Sequence, residues 1–127
     1  MATITITGNL TSDPELRFAN NGQAVAGFFV AENRRWQDRD TQEWNESVSY
    51  FDIVAWGPLG EHTAQSVAKG DRVTVTGRIA QRSWETPEGD RRTKFEITAT
   101  DVAASLRYAT VQITKAERSE HAADSDE

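Results

Sequence analysis

The chain has 127 residues, which is enough for one domain with a modest hydrophobic core. It contains no cysteine, which excludes disulfides and thiolate metal sites, and no apolar run approaches the roughly 18 residues that a membrane helix needs. Its formal net charge of −6, taken alone, argues against a nucleic-acid partner.

Strand patterns dominate the first half of the chain. Residues 3–8 alternate Thr with Ile, residues 24–33 are apolar enough for a buried strand, and residues 47–56 form a third strand pattern. The odd positions of the third strand make one apolar face. Its even positions should face solvent, yet they include Tyr50 and Trp56. These two rings therefore need a partner outside the core.

A short helix and two more strands complete the predicted fold. The helix pattern covers residues 57–71, with Pro58 near its start and Gly70 just past its end. Residues 71–81 and 93–102 then alternate apolar and polar side chains, as half-buried strands do. The order is three strands, a helix and two strands.

Two glycines interrupt the predicted strands in matching contexts. Gly8 ends "TITG" and Gly77 ends "TVTG". Glycine inside a strand suggests a bulge or a sharp bend, which the corner of a barrel requires.

Two long polar segments, residues 34–46 and 82–92, are predicted to be hairpin loops. Each contains three arginines; the first carries Trp36 and Trp44, and the second carries Trp84. A base that stacks on an aromatic ring gains on the order of 1–3 kcal/mol whatever its identity, and Arg contacts phosphates. Because duplex DNA does not offer its base faces, this pattern favours single-stranded nucleic acid.

Other readings of these aromatic residues stay open. Trp and Tyr on strands are more often part of a core or an interface, and Trp44 could serve only to pin its loop. The pattern assigns the phenylalanines mostly to the core: Phe18, Phe28, Phe29, Phe51 and Phe95.

The residues that catalysis needs are missing. The two histidines, His62 and His121, have no spaced partner, and no GxxxxGK[ST], HExxH or CxxC motif occurs. We therefore expect a binding protein that is not an enzyme and needs no cofactor and no metal.

Beyond the core strands, two C-terminal segments are distinct. Residues 106–115 are predicted to be a further strand or an arm that reaches a neighbouring subunit. Residues 116–127 hold five acids and one Arg, a charge of −4, whereas residues 1–115 hold 13 basic and 15 acidic residues, a charge of −2. An acidic, aromatic-free terminus is typical of disorder. Because this terminus carries most of the negative charge, the folded part is nearly neutral.

The element order is that of the OB-fold, an all-β, five-stranded Greek-key barrel, here with one short helix between strands 3 and 4. Several stretches within residues 1–105 also resemble bacterial single-stranded DNA-binding proteins. They are "GNLTSDPELRF" (8–18), "NGQAVAGFFVA" (21–31), "YFDIVAWG" (50–57), "KGDRVTVTGRI" (69–79) and "QRSWETPEGDRR" (81–92). The segment "SLRYATVQITK" (105–115) resembles the extra strand of actinobacterial members, which is thought to clamp neighbouring subunits.

The resemblance implies a cytoplasmic, nucleoid-associated homotetramer that binds single-stranded DNA without sequence preference in replication, repair or recombination. Its four stacking positions fall on Trp36, Tyr50, Trp56 and Trp84. Its basic contacts fall on Lys69 and on the arginines of the two loops, Arg34, Arg35, Arg82, Arg91 and Arg92.

The sequence departs from the family in two places. Asp52, Pro58 and Ser83 occupy positions that can be basic in relatives, and each lost phosphate contact flattens the salt dependence by about one unit. The C-terminal "SEHAADSDE" is acidic but lacks the Gly/Pro/Gln-rich linker and the final Pro-Phe through which typical members dock repair and replication enzymes. It resembles shortened paralogues, and recruitment through this tip does not carry over. The alternatives are an OB-fold protein-interaction module and an RNA-binding relative.

Overall fold

The computed structural model describes residues 2–116, which form six strands and one helix. These are β1 (Ala2–Leu10), β2 (Glu15–Phe18), β3 (Ala24–Gln37), β4 (Trp44–Trp56), α1 (Pro58–Ser66), β5 (Arg72–Glu85) and β6 (Arg91–Ala104). The strands make one sheet in the order β1-β5-β6-β4-β3-β2, and β1 also pairs with β3, so the sheet closes into a barrel. The predicted all-β fold with one short helix is confirmed.

The hydrophobic core fills the inside of the barrel. It consists largely of every second side chain along the strands, the ones that point inward. Val73 and Val75 of β5 and Ile53 of β4 are fully buried, as the period-2 pattern predicts. The whole cluster consists of Ile6, Leu10, Phe28, Val30, Ile53, Ala55, Val67, Val73, Val75, Ile97 and Ala99.

One observed strand, β2, was not predicted from the sequence. It pairs with the edge of β3, with Glu15 opposite Gly27 and Phe18 opposite Ala24. All four of its residues are exposed, so it buries no alternating side chains. A strand with no buried face leaves no periodic signal in the sequence.

Both strand glycines lie where backbones approach closely. A Cβ at Gly8 would overlap the carbonyl oxygen of Ala31, next to the point where β1 meets β3 and closes the barrel. A Cβ at Gly77 would overlap the carbonyl oxygen of Thr98, and the β5–β6 register shifts at this residue. The ladder has a bulge here, but its extra residue, Thr100, lies on β6 opposite Gly77.

Helix α1 ends at Ser66, earlier than the predicted end just before Gly70. It begins after Gly57, whose φ is 68°, and Pro58 takes its first position. Val67 is extended and packs into the core, so the chain leaves the helix there. Within residues 2–116 no helix is long and apolar enough to cross a membrane.

The two predicted hairpin loops are mostly strand, which corrects the prediction. β3 continues to Gln37 and β4 starts at Trp44, and β5 continues to Glu85 before β6 starts at Arg91. Only residues 38–43 and 86–90 form turns. Two-stranded ribbons therefore extend beyond the barrel. Neither face of such a ribbon covers a core, so polar residues occupy both faces and imitate a loop pattern.

The assignment of phenylalanines to the core is wrong for three of the five. Phe28 is buried and Phe51 packs partly against the core. Phe18, Phe29 and Phe95 are 65%, 48% and 55% exposed. Phe29 points to the opposite face of β3 from Phe28, because successive side chains alternate along a strand.

Residues 105–116 form no helix or strand in this chain. The backbone N–H of Ser105 donates to the carbonyl oxygen of Arg72 at 2.9 Å, and beyond it the guanidinium groups of Arg72 and Arg107 lie over the Tyr108 ring. The single chain thus contains no further strand here, and an arm that reaches a neighbouring subunit stays a prediction. The predicted disordered tail, apart from Ala116, lies outside the described residues.

Candidate nucleic-acid interface

The two faces of the sheet can be followed from the core out onto the ribbons, because paired residues on neighbouring strands point to the same side. We call the side that carries Tyr50, Asp52 and Trp56 the outer face. The opposite side, which carries Ile53 of the core, is the inner face.

Tyr50 and Trp56 lie on the outer face of β4 and are 68% and 42% exposed. The prediction that these two rings are exposed is confirmed, whereas Asp52 and Val54 on the same face are half-buried. The rings are separated by six residues, which is about 20 Å along an extended strand. Tyr50 is the more open of the two, since the described chain covers more than half of Trp56.

Trp84 lies on the same outer face, on the β5–β6 ribbon. Glu96 of β6 pairs in parallel with Asp52, so it shares the outer face. Two and four residues earlier on β6 come Lys94 and Arg92, and Trp84 pairs with Arg92. The Trp84 ring is 46% exposed and thus stands beside cationic side chains.

Trp36 lies on the opposite face of the β3–β4 ribbon. It pairs with Asn45, and Arg34 pairs with Ser47, in the alternation that contains the core residue Val30. Trp36 is 46% exposed, but it is on the inner face of the β3–β4 ribbon. Of the four predicted stacking residues, the structure brings three to one face and leaves Trp36 on the opposite face.

Trp44 is an exposed ring to which the sequence assigned no role in binding. It pairs with Gln37 at the start of β4 and is 62% exposed, more than the other three tryptophans. The Arg35 guanidinium lies over its ring, 5.3 Å from the centroid. The sequence contained one signal that Trp44 shares the face of Tyr50. Trp44 precedes Tyr50 by six positions, and an even spacing along a strand puts both side chains on one face.

Two ion pairs cross the outer face between the aromatic rings. The ammonium of Lys94 lies 2.9 Å from Oδ2 of Asp52, and Nε of Arg82 donates to Oε1 of Glu96 at 2.8 Å. The Asp52 and Glu96 side chains are 17% and 15% exposed, and the cations are more open. Arg82, a predicted phosphate contact, is therefore already paired, and Lys94 joins the site without having been predicted.

The remaining predicted cations lie in different places. Arg91 is on the inner face, where its Nη1 donates to Oγ of Ser83 at 3.4 Å. Lys69 lies in the turn between α1 and β5, at the end of β5 opposite the ribbon tip. Its backbone N–H donates to Oδ1 of Asp13 at 2.9 Å.

An aromatic cleft separates the two ribbons. β4 and β6 pair only over Asp52–Val54 and Glu96–Thr98, and beyond this short ladder the ribbons diverge. The cleft has a volume of about 400 Å³. Its walls come from both ribbons: Phe29, Ser49, Tyr50, Phe51, Asp52, Lys94 and Phe95.

The tip of the β3–β4 ribbon is held by Asp38. Its Oδ1 accepts the backbone N–H groups of Asp40 and Thr41 at 2.8 and 3.2 Å, and these bonds lower the pKa of Asp38 below its ordinary value. A lowered pKa means that the contribution to turn stability is complete at neutral pH. It is lost only in acid, as the pH falls through the folded value.

This surface combines open aromatic rings with Arg and Lys side chains, which suits a flat base joined to a phosphate. His62 on α1 is exposed. Among residues 2–116, no group of three His, Cys, Asp or Glu side chains is arranged to hold a metal ion.

Comparison with known proteins gives a consistent result. The model of the single-strand binding protein family matches residues 1–105. A single-stranded DNA-binding protein of Mycobacterium tuberculosis H37Rv is 49% identical over 118 residues, which cover 92% of this chain and 72% of the relative. Single-stranded DNA-binding protein 2 of Streptomyces coelicolor is 48% identical over 113 residues, covering 88% and 57%.

Solved structures agree with the sequence relatives. A Plasmodium falciparum SSB in complex with single-stranded DNA superposes with a TM-score of 0.75 at 26% identity, covering 83% of this chain and 95% of that one. The small single-stranded DNA-binding protein of Streptomyces coelicolor gives a TM-score of 0.71 at 28% identity, covering 83% and 94%.

Proposed function

Since this chain belongs to the single-strand binding protein family, we propose that it covers exposed single strands during replication, repair or recombination, without sequence preference. It binds single-stranded DNA, and it is a binding protein and not an enzyme. The observation that carries this function is the set of open rings, Tyr50, Trp56 and Trp84, on one face that also carries arginine and lysine side chains.

In this proposal, bases stack on the rings and phosphates meet the cations. Stacking is worth on the order of 1–3 kcal/mol per base and tolerates any sequence, because every base has a π-face. Trp36 would take bases on the inner face of its ribbon, so the strand would pass around the ribbon. The cations proposed to contact phosphates are Arg34, Arg35, Lys69, Arg82, Arg91 and Arg92.

We also propose that the chain assembles as a homotetramer. This tetramer acts in the cytoplasm, on the DNA of the nucleoid. β1 pairs with β5 along its length, but with β3 only at Asn9 and Leu10, so its other edge is open from Ala2 to Thr7. An open strand edge is a ready site for another chain. Exposed apolar side chains such as Phe18 and Ile113 also support burial between subunits.

Tryptophan fluorescence during titration with oligo-dT, at two salt concentrations, tests the function. We expect strong quenching that weakens at higher salt, because rings stack on bases and phosphates meet cations. A duplex of equal length is the control and should quench much less. Titration with oligo-U separates DNA from RNA preference. Unquenched emission at low salt would contradict the proposal. It would favour the alternative that the chain is a protein-interaction module.

A further inference from the structure

We propose that Trp44 and Arg35 form an additional nucleotide-binding position near the tip of the β3–β4 ribbon, where one base stacks on the indole and the guanidinium contacts the adjoining phosphate. This proposal rests on the proposed function and extends its site. It places a fifth aromatic contact beyond the four positions that the family resemblance assigns.

The register of the ribbon puts Trp44 in line with the outer-face rings. Trp44, Tyr50 and Trp56 occupy one face of β4 at equal intervals of six residues, about 20 Å each. The track of open rings thus continues from the barrel onto the ribbon. Trp36, the assigned ring of this ribbon, is on the inner face and does not continue that track.

The geometry of the pair suits a nucleotide. Arg35 pairs with Glu46 and therefore lies on the outer face with Trp44. Its guanidinium covers one face of the ring at 5.3 Å, yet the residue remains 62% exposed, so ring surface is still open for a base. A guanidinium held beside a stacking ring is suitably placed for a phosphate of the same strand.

A purely structural role does not account for Trp44, because the turn is held by other groups. Asp38 accepts two backbone N–H groups, and its own N–H donates to the carbonyl oxygen of Glu43 at 2.8 Å. Nε2 of Gln37 donates to the carbonyl oxygen of Gln42 at 3.1 Å. Trp44 adds an open apolar ring to a turn that already closes without it.

The first test is a single-tryptophan protein, Trp36→Phe/Trp56→Phe/Trp84→Phe, in which Trp44 is the only indole. Binding of a labelled oligo-dT is followed by anisotropy, and Trp44 emission is read in the same titration. We expect quenching that saturates with binding. If the oligo binds and Trp44 emission stays unchanged, the inference is wrong while the proposed function stands. If the native chain itself fails to bind, the proposed function fails.

The second test uses the native background and covers the case in which the triple variant does not bind. Trp44→Ala should weaken binding to a long oligo-dT about tenfold, which corresponds to about 1.4 kcal/mol. Trp44→Phe keeps a ring and should stay within about twofold of the native affinity.

The matched control is Val48→Ala, because Val48 is exposed on the same face between Trp44 and Tyr50 but has no ring. It should leave affinity unchanged. Arg35→Gln should reduce the slope of log K against log salt by about one unit. Equal affinities for Trp44→Ala and the native chain would overturn the proposal.

Discussion

At the scale of single residues, Asp52 lowers the positive charge of the outer face and holds one of its cations. Asp52 and Glu96 are neighbours in the parallel ladder, and each holds one cation, Lys94 and Arg82. The four charges sum to zero. DNA that crosses this patch must compete with two carboxylates for the cations it uses, and the carboxylates also repel its phosphates.

Asp52→Asn is therefore expected to strengthen binding of oligo-dT several-fold at low salt. The change removes one negative charge and releases the Lys94 ammonium, which makes one more phosphate contact. The slope of log K against log salt should steepen by about one unit. Titrations at four salt concentrations measure both effects.

Glu15→Gln is the matched control for this prediction. Glu15 also pairs with a cation, Arg17 at 3.7 Å, but on the exposed edge strand β2. The same loss of charge there should leave the salt slope unchanged. A similar gain in both variants would mean that only net charge matters and that the Lys94 pair does not.

At the scale of elements, the barrel strands were predictable and the ribbons were not. Val73, Val75 and Ile97 alternate with polar residues because one face of their strands packs on a core. Beyond the barrel the same strands have no core beneath them, and the signal disappears although hydrogen bonding continues. The sequence identified the candidate stacking rings. The face of the ribbon on which each ring lies depends on how β3 pairs with β4, and composition does not encode this pairing. Trp36 and Trp44 illustrate this, eight residues apart along the chain and on opposite faces.

Gly77→Ala tests the close contact between β5 and the bulged strand β6. We expect a loss of about 2–3 kcal/mol in the free energy of unfolding, since the new methyl would overlap the carbonyl oxygen of Thr98 and force the backbone to shift. Urea denaturation followed by tryptophan emission provides the measurement.

Gly27→Ala in β3 is the comparison for this change. The nearest atom to a Cβ there is the carbonyl oxygen of Ile53 at 4.0 Å, which is ordinary contact. This variant should be neutral or slightly stabilised, because alanine lowers the entropy of the unfolded chain. Equal losses in the two variants would show that the tight contact at the bulge is not the cause.

At the scale of the whole molecule, the single chain leaves several large side chains uncovered. Leu106, Tyr108 and Ile113 of the C-terminal arm are 65%, 76% and 81% exposed. The net charge of −6 was a poor guide to whether the protein binds nucleic acid. Most of this charge comes from the acidic C-terminal residues, and the folded part is nearly neutral. Residues 2–116 provide no cover for these side chains, and the sequence of one chain does not specify what does.

In the proposed tetramer the C-terminal arm contacts a neighbouring subunit, so removal of residues 106–127 should weaken assembly. Sedimentation velocity across a dilution series should show smaller species at concentrations where the full chain still sediments as the proposed tetramer. Removal of 117–127 alone is the control and should leave the series unchanged. Identical behaviour of the two truncations would contradict a clamp formed by the arm.

The pairing of β1 also sets the order of events during synthesis. Its main partner, β5, begins at Arg72, so roughly sixty more residues must emerge, which takes about 3–12 s at ribosomal speed. The β3–β4 hairpin is complete well before that, and hairpins form within microseconds. The first strand to leave the ribosome therefore waits longest for its partner, and its alternation of Thr with Ile keeps one polar face on a strand that spends seconds unpaired in the growing chain.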